Sequence, residues 1–252
     1  MLDRCGRHRP TAPSATTHEN TADRLLTIAD FHPVQSYLEV GVYAGGTFNA
    51  VNFPRKVAVD PNFMFDTRTA AGPGIDFHEL RSDEYFTSPD HHERFDLIFL
   101  DGLHEFRQTL RDFINALDYS HAASVIVLDD VLPNDVFSAL PDVSRAYRFR
   151  ELNRPGNPDR SWHGDVYKVV LAIHDLFPRI SYCTVNRGEG NPQTFCFRSP
   201  RRDFRPHFAS LEQIERLSYF ELLDHLDLLN PVSEDEAFQI VRAFSEHSAS
   251  AR

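Results

Sequence analysis

FDLIFLD over Phe95–Asp101 and SVIVLDD over Ser124–Asp130 decide the reading of this chain. Both are unbroken apolar runs, where a sheet with one wet face would show alternation. Strands covered on both faces have this pattern, and such strands belong to parallel sheets. Between them, Glu105–Leu117 puts Phe106, Leu110, Phe113, Ile114 and Leu117 at helical spacing. Strand, helix, strand is the parallel crossover unit. The same rhythm runs upstream, with strands expected at Tyr37–Val42, Lys56–Asp60 and Asp76–Leu80. A short helix from Thr21 carries Leu25, Leu26, Ile28 and Phe31.

Downstream, RELNRPGNPDRS (150–161) reads as a loop and Val166–Phe177 as a helix. Arg179–Val185 and Gln193–Arg198 read as two strands about the turn NRGEGNP, finishing the sheet with at least one antiparallel member. From Leu211 onward Leu217, Phe220, Leu222, Leu223, Leu226 and Leu229 predict a helical cap. The expected fold class is α/β, a doubly wound, mostly parallel sheet with a C-terminal helical extension. Its divisions are a disordered polar arm at 1–20, the main domain at 21–200 and the cap at 201–252.

Composition supports a packed core: 41% of residues are hydrophobic and 25% charged, ordinary globular values. A formal charge of -11 argues against nucleic acid and against anionic membrane, since both call for clustered Lys and Arg. The basic clusters Arg4–Arg9 and Arg198–Arg205 are local. Cys5, Cys183 and Cys196 are too few and too scattered for a disulfide framework or zinc motif. The last two sit in apolar runs as core thiols. With no apolar leader and no run near the ~20 residues of a membrane helix, a cytoplasmic location is expected.

Four features fall at the C-terminal ends of strands, where open α/β sheets bind ligands. Glu39-Val-Gly-Val-Tyr-Ala-Gly-Gly-Thr-Phe48 is a glycine-rich strand-to-helix turn. Its spacing, E-x-G-x-x-x-G-G, is not the G-x-G-x-x-G of a dinucleotide fold. Asp60 closes the second strand, placed either to accept from a ribose diol or to start a turn. Ser82 and Asp83 follow the third strand, suited to the adenine end of a cofactor or to capping a helix. Asp101 closes the fourth strand, and Asp129 and Asp130 the fifth. If the two strands are neighbours, three carboxylates converge. A hard divalent cation such as Mg²⁺ relieves their repulsion, and the competing reading is a helix cap plus an ion pair.

LEVGVYAGGTF, VAVDP, RSDEYF, FDLIFLDGLHEF, VIVLDDVLP and WHGDVYK together resemble the class I S-adenosylmethionine-dependent methyltransferases, specifically the macrocin O-methyltransferase-like, methyltransferase domain 24 group. The likeness spans about residues 35–170, with the motifs in order. It implies a seven-stranded sheet and S-adenosylmethionine held by Glu39, Gly41, Val42, Tyr43, Gly45, Thr47 and Asp60. It places Ser82 and Asp83 near the adenine, with Asp101 also in the cofactor shell. It further implies Mg²⁺ on Asp101, Asp129 and Asp130, with His104 and Asp101 as catalytic residues. The glycine loop lacks the G-x-G of many methyltransferases, and Gly102 replaces a bulkier residue.

The expected activity is therefore O-methylation of a small-molecule hydroxyl on a sugar or natural product, with His104 accepting the proton. The rivals are a metal-dependent hydroxylase or hydrolase on the same sheet edge, and a nucleotide-binding protein without chemistry. A nicotinamide dehydrogenase is disfavoured by the glycine spacing. Trp162–Lys168 reads equally as a substrate loop and as a helix cap with packed aromatics. The arm and tail leave homo-oligomerisation open.

Overall fold

The structure, a computed structural model, describes residues 15–90, 92–185 and 190–250. Cys5, the Arg4–Arg9 cluster, most of the expected 1–20 arm and residues 186–189 of the NRGEGNP turn lie outside them. The helix expected from Thr21 is longer, α1 running Ala15–Ala29. The elements that follow alternate: β1 Ser36–Val40, α2 Gly46–Ala50, β2 Arg55–Val59, α3 Thr67–Ala70, β3 Ile75–His78, α4 Ser82–Thr87, β4 Phe95–Leu100, α5 Phe106–Asp118 and β5 Ser120–Leu128. Then come α6 Val143–Asn153, α7 Tyr167–Leu176, β6 Ile180–Val185, β7 Thr194–Arg198, α8 Leu211–Arg216, α9 Tyr219–Leu223, β8 Pro231–Val232 and α10 Glu234–Ser250.

The strands form one sheet in the order β3-β2-β1-β4-β5-β7-β6-β8. β1 to β5 pair in parallel, and β7 enters antiparallel between β5 and β6. The sheet has eight strands where seven were expected. Pro231–Val232 adds a two-residue parallel edge beside Thr184–Val185, too short to show any hydrophobic period. A second correction concerns 150–161: α6 continues through Asn153 before the loop begins.

Alternation along β4 and β5 divides the core between the two faces. Ile98, Leu100, Ile126 and Leu128 pack with α4, α5 and α7 residues such as Tyr85, Phe113 and Val170. Leu97, Phe99, Val125 and Val127 pack on the other face with Leu25 and Ile28 of α1 and Val241 of α10. Cys183 and Cys196 are buried thiols. Arg198 and Arg201 of the second basic cluster are structural: Arg201 donates to the carbonyls of Ile173, His174 and Phe177 at the end of α7, and Arg198 to Leu117. Among the described residues no helix is long and apolar enough to cross a membrane.

Candidate active site

Strand order reverses between β1 and β4: from β1 the chain winds one way to β2 and β3, from β4 the other way to β5. Such a switch point, at the C-terminal ends of the strands, is the usual ligand site of an open sheet. Val40 pairs with Leu100 and Leu100 with Leu128, so the residues that follow, Gly41, Asp101 and Asp129, lie side by side.

Gly41 has φ +89°, and a Cβ built on it would stand 1.9 Å from the carbonyl oxygen of Asp101. Only glycine allows the loop to cross β4 this closely. The positive φ also ends β1 at Val40, two residues before the expected Val42. Asp60 fixes the loop from β2: its Oδ2 accepts from the amides of Val42 (2.9 Å) and Tyr43 (2.8 Å), and its Oδ1 from Asn62 (2.7 Å). A carboxylate has about four acceptor sites. One therefore remains for a hydroxyl, fewer than the diol expected from sequence.

Glu39 is buried in β1, where its carboxylate accepts from the Tyr37 hydroxyl at 2.5 Å. Burial pushes its pKa up to about 8, against the lowering effect of the Tyr37 hydrogen bond. Thr47 is buried at the start of α2, and the Tyr43 side chain is exposed. Ser82 and Asp83 open α4 and are engaged by α5: Gln108 Nε2 lies 3.2 Å from each, and Arg111 pairs with Asp83 at 2.7 Å.

The acidic residues gather round a histidine. His104 Nε2 is 3.3 Å from Asp101 Oδ1 and 3.0 Å from Asp130 Oδ2. Its other nitrogen, Nδ1, lies 2.9 Å from the carbonyl oxygen of Trp162, and its ring stacks on the Trp162 indole at 4.8 Å. Burial alone would depress the imidazole, but Asp130 and Asp101 outweigh it and raise its pKa well above the ordinary histidine value. Asp130 moves the opposite way. Burial raises its pKa, yet His104, His163 and Asn191 together bring it well below the usual carboxylate range. Asp129 is raised, first by burial and then by Asp101 and Asp130.

One donor atom each from Asp101, His104 and Asp130 lies within 4.8 Å of the others. Around a Mg²⁺-sized ion with ligands at about 2.1 Å, neighbouring donors stand about 3 Å apart. The two carboxylates, with oxygens 3.3 and 3.0 Å from the same imidazole nitrogen, supply the oxygen donors that a hard divalent cation takes, and the imidazole stands beside them. The geometry does not draw Asp129 into this set. Its Oδ1 accepts from the Asp130 amide (2.9 Å) and from Asn191 Nδ2 (2.6 Å). Asp130 itself has φ +57°. For a non-glycine residue that costs about 1–3 kcal/mol, a strain typical of functional sites.

The Trp162–Lys168 segment closes one side. Asp165 Oδ1 accepts from the first amide of α5, Phe106 N (2.7 Å), and its Oδ2 pairs with Lys168 (2.9 Å). Gly164, at φ +59°, lies so close to His104 that a Cβ would overlap the His104 carbonyl oxygen. His163 Nε2 lies 3.7 Å from Asp130 Oδ1. Asn191 was missed as a site residue from sequence, and His163 was read only as part of the Trp162–Lys168 segment, because nothing in their spacing links either to Asp130.

Residues 38–131 match a family model described as a methyltransferase domain. No curated protein matches the chain. Among solved structures it is similar to a candidate O-methyltransferase of Klebsiella pneumoniae, at 17% identity and TM-score 0.49 over 78% of this chain and 85% of that one. The O-methyltransferase TomG from Streptomyces achromogenes, solved with S-adenosylmethionine, gives 15% identity and TM-score 0.43, covering 77% of this chain and 91% of its own. An O-methyltransferase from Bacillus cereus, in complex with SAH, gives 16% and 0.46, covering 74% and 84%.

Proposed function

We propose that this chain, whose residues 38–131 match a methyltransferase-domain model, is an S-adenosylmethionine-dependent methyltransferase that methylates a hydroxyl oxygen of a small molecule, a sugar or natural product, with a divalent cation's help. The observation that carries this reading is the Asp101–His104–Asp130 group beside the Gly41 loop at the switch point of the sheet. S-adenosylmethionine supplies an electrophilic methyl group on a sulfonium. A divalent cation, Mg²⁺ or a similar ion, lowers the pKa of a hydroxyl that binds it.

The chain's residues then have these roles. Gly41, Val42, Tyr43, Gly45 and Thr47 shape the cofactor loop, which Asp60 holds from below while keeping one acceptor site for the ribose. Asp101 places a carboxylate beside the sulfonium, and Glu39, its pKa lifted by burial, is held by Tyr37 within β1 under the loop. Ser82 and Asp83 stand at the adenine side of the site. Asp101 and Asp130 hold the cation, and Asp129 backs Asp130 through its amide. His104 takes the acceptor's proton at Nε2. Asp130 and Asp101 raise the pKa of that nitrogen. Positive charge that offset the two carboxylates would lower that pKa and favour the neutral imidazole that a base requires. Trp162 holds the ring by stacking and through its carbonyl. In-line displacement asks little else of a protein than positioning.

The test is transfer of isotope-labelled methyl from S-adenosylmethionine to a panel of phenol and sugar hydroxyls, with and without a chelator. Product that carries the label on oxygen and vanishes with chelator is expected. Label on nitrogen or carbon, or transfer indifferent to chelator, would overturn the proposal.

A further inference from the structure

Asn191 lies in the segment between β6 and β7, far in sequence from the acids, yet it reaches both. Its Nδ2 donates to Asp129 Oδ1 (2.6 Å) and to Asp130 Oδ1 (2.8 Å). The Asn191 backbone carbonyl accepts in turn from Arg24 Nη1 of α1. Arg24 also donates to Gln193 Oε1 at 3.3 Å, and its Nε pairs with Glu234 at the start of α10. Gln193 Nε2 completes the tie by donating to Thr21 Oγ1 at 3.0 Å. The Arg24 side chain is buried. Two helices from opposite ends of the chain thus converge on one short segment, and that segment's amide touches the acidic pair.

Adjacent carboxylates repel and turn apart unless something holds them. A shared amide donor does so, and it fixes Asp130 Oδ1 so that Oδ2 faces His104. The arginine's planar fork suits it to gripping a carbonyl, an amide oxygen and a carboxylate at once. We propose that Asn191, held by Arg24, is a positioning residue that aims Asp130 at the cation site. Helices α1 and α10, both outside residues 38–131, then belong to the working site. This rests on the cation reading above.

The experiment is titration of the full chain with Mn²⁺, followed by the spin-resonance signal of the free ion. Calorimetry with S-adenosylhomocysteine and thermal melting serve as parallel readouts. Asn191→Ala, at a half-buried position, is expected to weaken Mn²⁺ binding by about 10–100-fold, leave homocysteine-ligand affinity unchanged and lower the melting temperature only slightly. Arg24→Lys keeps the charge but not the fork and is expected to give a smaller loss of the same kind. Unchanged Mn²⁺ affinity in Asn191→Ala overturns the inference alone. So does a loss matched by equal losses in homocysteine-ligand affinity and melting temperature, which marks a general structural role. A wild-type chain that takes up no Mn²⁺ overturns the cation reading and this inference together.

Discussion

Gly41→Ala tests the close approach on which the site is built. The new Cβ would stand 1.9 Å from the Asp101 carbonyl oxygen and 2.6 Å from Gly102 Cα, both backbone atoms. An ordinary C···O contact is about 3.3 Å, so β1 and β4 would have to part by more than about 1 Å at their ends. That movement breaks the bond from Asp101 N to Val40 O (2.8 Å) across the β1–β4 seam, worth about 1 kcal/mol net. The left-handed conformation adds about 1–2 kcal/mol for a residue with a side chain. The sum is about 2–3 kcal/mol, or a fall in Tm of about 4–12 °C for a domain of this size. Gly156→Ala is the control. Its φ is +74°, nearly the same, but a Cβ there meets nothing within 4 Å, so only the conformational cost of about 1–2 kcal/mol applies. The assay is urea denaturation of both variants with S-adenosylhomocysteine calorimetry on each. Two variants of equal stability, with wild-type affinity in Gly41→Ala, would refute the reasoning.

Further outcomes are expected. His104→Ala should abolish methyl transfer at neutral pH yet keep Mn²⁺ binding on Asp101 and Asp130; loss of Mn²⁺ as well would make His104 a ligand instead of the base. Asp165→Ala should cost about 3–5 kcal/mol in denaturant, because it strips the buried Lys168 of its carboxylate and the Phe106 amide of its acceptor. Glu39 gives a pH signature. Burial lifts its pKa from 4.5 to about 8 in the folded chain, so the folded state holds a proton that the unfolded chain releases. Stability is then fullest below about pH 4.5 and falls as pH rises toward 8. Glu39→Gln should flatten that fall, and an unchanged pH-stability curve would count against it.

The sheet was readable because burial on both faces leaves an unmistakable mark: FDLIFLD and SVIVLDD have no polar interruption, and β4 and β5 lie at its centre. β8 was not readable, since two residues carry no period. The end of α6 was hidden because Asn153, Arg154 and Pro155 look like a loop, although the first of these still closes the helix. The site divides along the same line. Residues at strand ends, Gly41, Asp60, Asp101, Asp129 and Asp130, stand out by their position after apolar runs. His163 and Asn191 reach Asp130 only through tertiary folding, from segments whose local sequence reports turns and caps. Asp129 and Asp130 look equivalent in sequence. What separates them is the left-handed backbone at Asp130 and the orientation of each carboxylate.

A crystal structure of the chain with S-adenosylhomocysteine tests the central claim most directly. The account predicts the thioether over the Gly41–Gly46 loop on the Asp101 side, with a ribose hydroxyl on the remaining acceptor site of Asp60. Ligand bound elsewhere on the chain, or a loop whose side chains fill that space and leave the ligand in solution, would contradict it.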